Sequence, residues 1–120
     1  MQQTGLAATF DPEFAREMGR VTARDTMAAG IQWIYGPILD LGVNSRWPRH
    51  YECFSEDPHV VAIMGAAVIT GIQNYSTHDG LRAAACAKHF IAYSATSTGQ
   101  DQSPVLLDKR GRWLLAGGGH

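Results

Sequence analysis

Two stretches of the chain carry apolar residues at helical spacing, and each opens on the same dipeptide. The first starts at Asp11-Pro12. An aspartate at the cap accepts from free backbone N–H groups, and proline fits the first helical position, where a missing N–H costs nothing. Glu13 then adds negative charge where the helix dipole favours it. Phe14, Met18, Val21 and Ala28 recur with helical period, which predicts an amphipathic helix over Pro12–Ala29 with that stripe as its apolar face. Gly30 fits the left-handed residue that ends many helices. The second stretch starts at Asp57-Pro58. Val60, Val61, Met64, Val68 and Ile72, interleaved with Gly65, Ala66, Ala67 and Gly71, predict a helix to about Gln73. Its small residues permit close packing on a sheet.

Between and after these helices the pattern changes. Ile31-Gln32-Trp33-Ile34-Tyr35 is short, β-branched and aromatic, and predicts a buried strand. Gly36-Pro37 interrupts it, and Ile38-Leu39-Asp40 continues the apolar run. A second strand is predicted over Arg82–Ile91, whose run of alanines suits a crowded interior although alanine itself favours helix. Gln2–Phe10 reads as the tail of an unseen element leading into the first helix. Asn74–Gly80 and Tyr93–Pro104 read as polar loops, and Val105–Arg110 as the start of a further helix. This alternation implies α/β architecture with a parallel sheet and crossover helices. Two strands and two helices cannot close a barrel, so the chain reads as a slice of a larger α/β domain.

Composition narrows the function classes. The 120 residues are 45% hydrophobic and 18% charged, a globular balance. Ten basic and eleven acidic residues give a net charge of -1, without a lysine or arginine run, which argues against nucleic-acid or membrane-surface binding through a basic patch. No apolar run approaches the roughly 20 residues of a membrane span. Met1–Gly5 lacks the charged and apolar regions of a signal peptide. Cys53 and Cys86 match neither a disulfide framework nor a zinc ribbon, and read as buried free thiols. The five histidines show no metal-ligand spacing, so no metal or other cofactor is expected.

The chemistry concentrates in the loop Asn44–Pro58, where arginines, aromatics and acids follow a strand. Arginine offers a fixed fork of donors, and tryptophan and tyrosine offer flat apolar faces with a polar edge. That set suits a hydroxyl-rich sugar, and equally a carboxylate or phosphate. The plain alternative is an arginine–carboxylate network that only holds the loop in shape. Asp40 stands at the end of its strand, where α/β sites form, but a cap or loop anchor explains it as well. Lys88-His89 at the end of the second strand is hard to explain as core. A solvated lysine beside a loop histidine remains the plain alternative.

These motifs, in this order, resemble the N-terminal barrel domain of glycoside hydrolase family 3, the family of many β-glucosidases. Leu6–Pro12 is similar to the family's helix entry, and Gly30–Asp40 to its "GINWVFAPVLD" strand. Arg46-Trp47-Pro48-Arg49-His50-Tyr51-Glu52-Cys53-Phe54-Ser55-Glu56-Asp57-Pro58 resembles "RWGRxYExFxEDP", Ala87-Lys88-His89-Phe90 resembles "AKHF", and Gly99–Val105 is similar to the segment after it. The resemblance covers residues 1–110 and implies part of a (β/α)8 TIM-like barrel, about two β/α units, not closed. Residues 111–120 form a divergent tail, as a truncated or misjoined reading frame would give.

By resemblance, Arg49, Lys88 and His89 hold hydroxyls of the sugar in the first subsite, and Arg46, Tyr51 and Glu52 support the loop. The implied parent activity is retaining, exo-acting hydrolysis of terminal non-reducing β-D-glucosyl residues, with a β-glucoside or oligosaccharide as substrate. That mechanism needs two carboxyl groups roughly 5–5.5 Å apart. No acid in this chain matches the family's nucleophile or acid/base, so the chain is expected to lack catalysis alone and to be only marginally stable. A non-catalytic carbohydrate-binding fragment is the alternative. Pro48 replaces the motif's usual glycine, which stiffens the loop beside Arg49, and Asn44-Ser45 stands where Asp-Pro is common.

Overall fold

A computed structural model describes residues 2–111. Helix α1 spans Gln3–Ala7, α2 Pro12–Ala28 and α3 Pro58–Asn74; strands β1 (Trp33–Ile34) and β2 (Ala84–Ala85) form a two-stranded parallel sheet, and a single 3-10 turn covers His50–Glu52. Both Asp-Pro helix starts form as their chemistry dictates. Asp11 accepts from the Glu13 N–H at 2.9 Å and Asp57 from the His59 N–H at 2.8 Å, each with proline at the next position. Gly30 takes φ 81° just past the end of α2. The expected tail before α2 is instead the short helix α1. Its Gln3 amide accepts from the Ile38 N–H at 3.0 Å and donates to the Ile38 carbonyl at 2.7 Å, standing in for a strand neighbour.

The buried face of α2 differs from the predicted one. Ala15, Gly19 and Ala23 are buried, whereas Phe14 is 59% exposed. The cause is close approach. A Cβ on Gly19 would run into the Val68 carbonyl, and one on Gly71 into the Arg16 carbonyl, so α2 and α3 touch main chain to main chain. Only the small-residue face of α2 can enter such a contact. Phe14, Met18 and Val21 do share a side, and with Leu6 they line an open apolar hollow. On α3, Val61, Met64, Gly65, Val68, Gly71 and Ile72 are buried as predicted, with Gly65 set against the Leu39 side chain.

The strands are shorter than predicted. Regular pairing joins Trp33 to Ala84 and Ile34 to Ala85. Pro37 has no N–H to donate, and the ladder resumes as a parallel bridge between Ile38 and Lys88, where the Leu39 N–H donates to the Lys88 carbonyl at 2.6 Å. Nor is β1 buried on both sides: Ile31, Trp33 and Tyr35 are exposed, and only Ile34 packs against the core. Among the described residues α3 packs against β2 and α2 packs against α3, while Trp33 and Tyr35 remain exposed on β1 and just beyond it. Cys53 is buried as expected, while Cys86 is half-buried. Helical backbone begins at Lys109, and the expected divergent tail lies outside the described residues apart from Gly111. No described helix is long and apolar enough to cross a membrane.

Candidate functional site

The interrupted ladder sets Asp40 and His89 at matching ends of neighbouring strand lines. Asp40 is 5% exposed, yet it is fully occupied. Its Oδ1 accepts from the Ser94 N–H at 3.3 Å, its Oδ2 accepts from the His89 N–H at 3.1 Å, and His89 Nδ1 lies 2.6 Å from the same Oδ2. A buried carboxylate needs such donors, since an unpaired one carries a heavy desolvation cost. Of the two readings open for Asp40, the geometry is that of an anchor.

The loop after β1 brings the third member. Consecutive tight turns, Trp47 N–H to the Asn44 carbonyl at 3.0 Å and Glu52 N–H to the Arg49 carbonyl at 2.9 Å, wind the chain so that Arg49 and Glu52 share one side. Arg49 then donates in parallel to Glu52, Nε to Oε1 at 2.6 Å and Nη2 to Oε2 at 2.8 Å. Its remaining terminal nitrogen, Nη1, lies 3.1 Å from His89 Nε2. Pairing with Glu52 raises the Arg49 pKa, and the guanidinium holds the Glu52 carboxyl below the usual carboxylate range, with smaller help from the charge of Lys88. A continuous chain of polar contacts therefore runs Asp40, His89, Arg49, Glu52.

The Tyr93–Pro104 loop closes over this chain. Trp47, 1% exposed, donates from Nε1 to Asp101 at 3.3 Å, and the Tyr93 hydroxyl donates to the same carboxylate oxygen. The Asp101 carboxyl is thereby held low, and the Tyr93 phenol high. Arg49 sits 5.9 Å from the Trp47 ring and 5.7 Å from the Tyr93 ring, within reach of a cation–π attraction. Asn44 donates to the Thr96 carbonyl at 3.0 Å, and Gly99, at φ 79°, lies against Arg46. An open hollow of about 560 Å³ lies beside this assembly, lined by Arg49, His89, Tyr93, Gln102 and Ser103 with apolar Phe90, Ile91 and Val105. Phe90 is 95% exposed, a flat apolar face at the rim.

The structure thus brings Arg49 and His89 into contact and sets both at the hollow. Lys88 is half-buried and does not line it; its main chain serves the strand ladder and its charge is felt at Glu52. Glu52 supports Arg49, while Tyr51 is exposed and contributes its carbonyl as an acceptor for Thr4 at 2.8 Å. Pro48 is exposed, and the Arg49–Glu52 pair forms beside it. Sequence reasoning missed Tyr93 and Asp101 as parts of the site. An aromatic and an acid in an otherwise serine- and threonine-rich loop were the available signal. Among the described residues, no group of three His, Cys, Asp or Glu side chains is arranged to hold a metal ion.

Comparison with known proteins shows which family the sequence and fold match. Residues 2–111 match the profile described as "Glycosyl hydrolase family 3 N terminal domain". The lysosomal beta glucosidase of Dictyostelium discoideum is 42% identical over 112 residues, covering 89% of this chain and 14% of that protein. The exo-1,3/1,4-beta-glucanase of a Pseudoalteromonas species superposes with a TM-score of 0.86 at 34% identity, over 97% of this chain and 15% of that one. The beta-glucosidase of Listeria innocua, solved with laminaribiose and separately with glucose, superposes with a TM-score of 0.83 at 33% identity, over 90% of this chain and 15% of that one. The chain therefore spans 14–15% of the length of these relatives.

Proposed function

The chain belongs to glycosyl hydrolase family 3, as part of its N-terminal domain, and from that premise we propose that it supplies the sugar-binding side of a retaining, exo-acting β-glucosidase. In this reading β1 and β2 are neighbouring strands of a (β/α)8 barrel, and the hollow at their ends takes the terminal non-reducing glucosyl residue. Arg49 and His89, which line the hollow, hold its hydroxyls, and Lys88, outside the lining but next to His89 in the chain, is the third binder in this reading. Fixed cationic donors clamp and orient a sugar ring, which contributes positioning rather than proton transfer.

The observation that carries the reading is the contact of Arg49 with His89 at the hollow, each backed by its own buried or half-buried carboxylate. Those same carboxylates argue for a division of labour. Glu52 is committed to Arg49, Asp40 to His89 and two backbone N–H groups, and Asp101 to Trp47 and Tyr93. None is free to act as nucleophile or acid. The nucleophile and acid/base then come from parts of the enzyme beyond these residues, at the roughly 5–5.5 Å separation retention requires.

The test is a pair of measurements on the 120-residue chain. Titration with methyl β-D-glucoside should shift the NMR signals of Arg49, His89 and Tyr93. An aryl β-glucoside should show no turnover above buffer. Binding without turnover supports the reading, and equally the alternative that the chain serves as a carbohydrate-binding fragment. Clear turnover by the chain alone would contradict the division of labour, and absence of binding would remove the sugar site.

A further inference from the structure

We propose that Asp40 is a positioning residue that locks His89 into the tautomer carrying its proton on Nδ1, so that Arg49 and His89 together select a ligand group that both accepts and donates a hydrogen bond. The inference rests on the sugar-binding reading above and sharpens it: the group selected is a hydroxyl, not a carboxylate, phosphate or amine.

The assignment follows from both ends of the contact chain. Asp40 receives two main-chain N–H groups, one on each oxygen, so its carboxylate is anchored as an acceptor by groups that can only donate. His89 Nδ1, 2.6 Å from Oδ2, is then the donor of a short, charge-assisted hydrogen bond. At the other end stands a guanidinium, which has donors and no acceptor. Nη1 of Arg49 lies 3.1 Å from His89 Nε2, so Nε2 must present a lone pair. The two constraints agree on a neutral imidazole with its proton on Nδ1. Tyr93 packs against the ring at 4.6 Å between centroids and holds its plane.

Arg49 is equally fixed. Two of its nitrogens are tied to Glu52, which leaves Nη1 aimed at His89. The 3.1 Å contact leaves no room between the two atoms, so a ligand atom must displace it, and on doing so meets a freed donor at Nη1 and a freed acceptor at Nε2. A hydroxyl satisfies both at once. A carboxylate or phosphate oxygen would face the Nε2 lone pair, and an ammonium would face the guanidinium. Arginine with histidine would ordinarily form an anion site, and the buried Asp40 carboxylate converts it into a hydroxyl site.

Two measurements on the full chain test this. The first is 15N NMR of the His89 imidazole, whose two-bond correlations distinguish the tautomers. The expected result is Nδ1–H in the unchanged chain, lost in D40N. An Nε2–H tautomer in the unchanged chain overturns the proposal, whether or not D40N folds. The second compares methyl β-D-glucoside with its deoxy and deoxyfluoro derivatives at each position. At one position both derivatives should bind about tenfold or more weakly, because fluorine cannot donate and the Nε2 lone pair loses its donor. Deoxyfluoro sugars that bind like the parent at every position would overturn the donor–acceptor pair. An Nδ1–H tautomer with no affinity for the parent glycoside would instead overturn the proposed function and the hydroxyl preference, and would support the Asp40–His89 lock alone.

Discussion

Gly19 and Gly71 place the main chains of α2 and α3 in direct contact, each set against a carbonyl of the opposite helix, Gly19 against Val68 and Gly71 against Arg16. Neither carbonyl can move without shifting a whole helix. Overpacking of this kind costs about 1–3 kcal/mol, and Gly19→Ala or Gly71→Ala should lower stability by that amount in denaturant unfolding. Gly65→Ala is the internal control. Its new methyl meets only the tip of the Leu39 side chain, which can turn away, so the loss should be clearly smaller.

The Arg49–Glu52 pair sets the acid limit of the site. The folded chain depresses the Glu52 pKa below its ordinary value of 4.5. The pair therefore contributes its full stability above that value, and loses it as pH falls through the depressed one. The Arg49 Nε–H resonance should stay protected from exchange at neutral pH and lose protection only well into the acid range. Glu52→Gln, which keeps shape but removes the charge, should lose that protection at neutral pH and weaken methyl β-D-glucoside binding several-fold.

Two thiols should report their surroundings differently. Cys53 is 2% exposed, and burial, reinforced by the nearby charges of Asp40 and Glu52, pushes its thiol up to about 12. Cys86 is half-buried at the end of β2. Since the thiolate is the reactive form, an alkylating reagent near pH 8 should modify Cys86 first and Cys53 only on unfolding. Peptide mass mapping over time checks this, and equal rates would contradict the burial of Cys53.

Gly99 fastens the closing loop. At φ 79° it occupies a region that side chains rarely adopt, and a Cβ there would come 2.6 Å from the Arg46 Cβ. Gly99→Ala should loosen residues 93–104 without unfolding the helices. The expected signature is faster amide exchange confined to that loop, with global stability lowered by only about 1 kcal/mol or less. Weaker glucoside binding should accompany it, because Tyr93 and Gln102 line the hollow.

The parts legible in the sequence are those written in local chemistry. Asp11-Pro12 and Asp57-Pro58 announce both long helices, and the loop from Asn44 to Pro58 with Lys88-His89 marks the candidate site, where Arg49 and His89 meet. Periodicity misplaces the buried face of α2 because it marks which residues share a side, not which side is pressed against a neighbour. Gly19 looks like a gap in the stripe until Gly71 meets its helix. The strands are overextended because β-branched and aromatic composition does not register what Pro37 removes from the ladder. Asp40 with His89 and Trp47 with Asp101 are illegible for a plainer reason: each pair is joined only by tertiary contact, across 49 and 54 residues of chain.

Those separations govern the order in which the molecule can assemble. The bonds that join the two halves of the candidate site span long stretches of chain: 40 residues between Arg49 and His89, 49 between Asp40 and His89, 52 between Asn44 and Thr96. Each must wait for a loop closure whose entropy is lost before any contact is gained, whereas the turns of α2 and α3 form within themselves. Pulse-labelling exchange should therefore find the helices protected first and the Asp40–His89 junction last. The candidate hollow should then be the slowest product of folding, completed only when the two strand lines have found their parallel register.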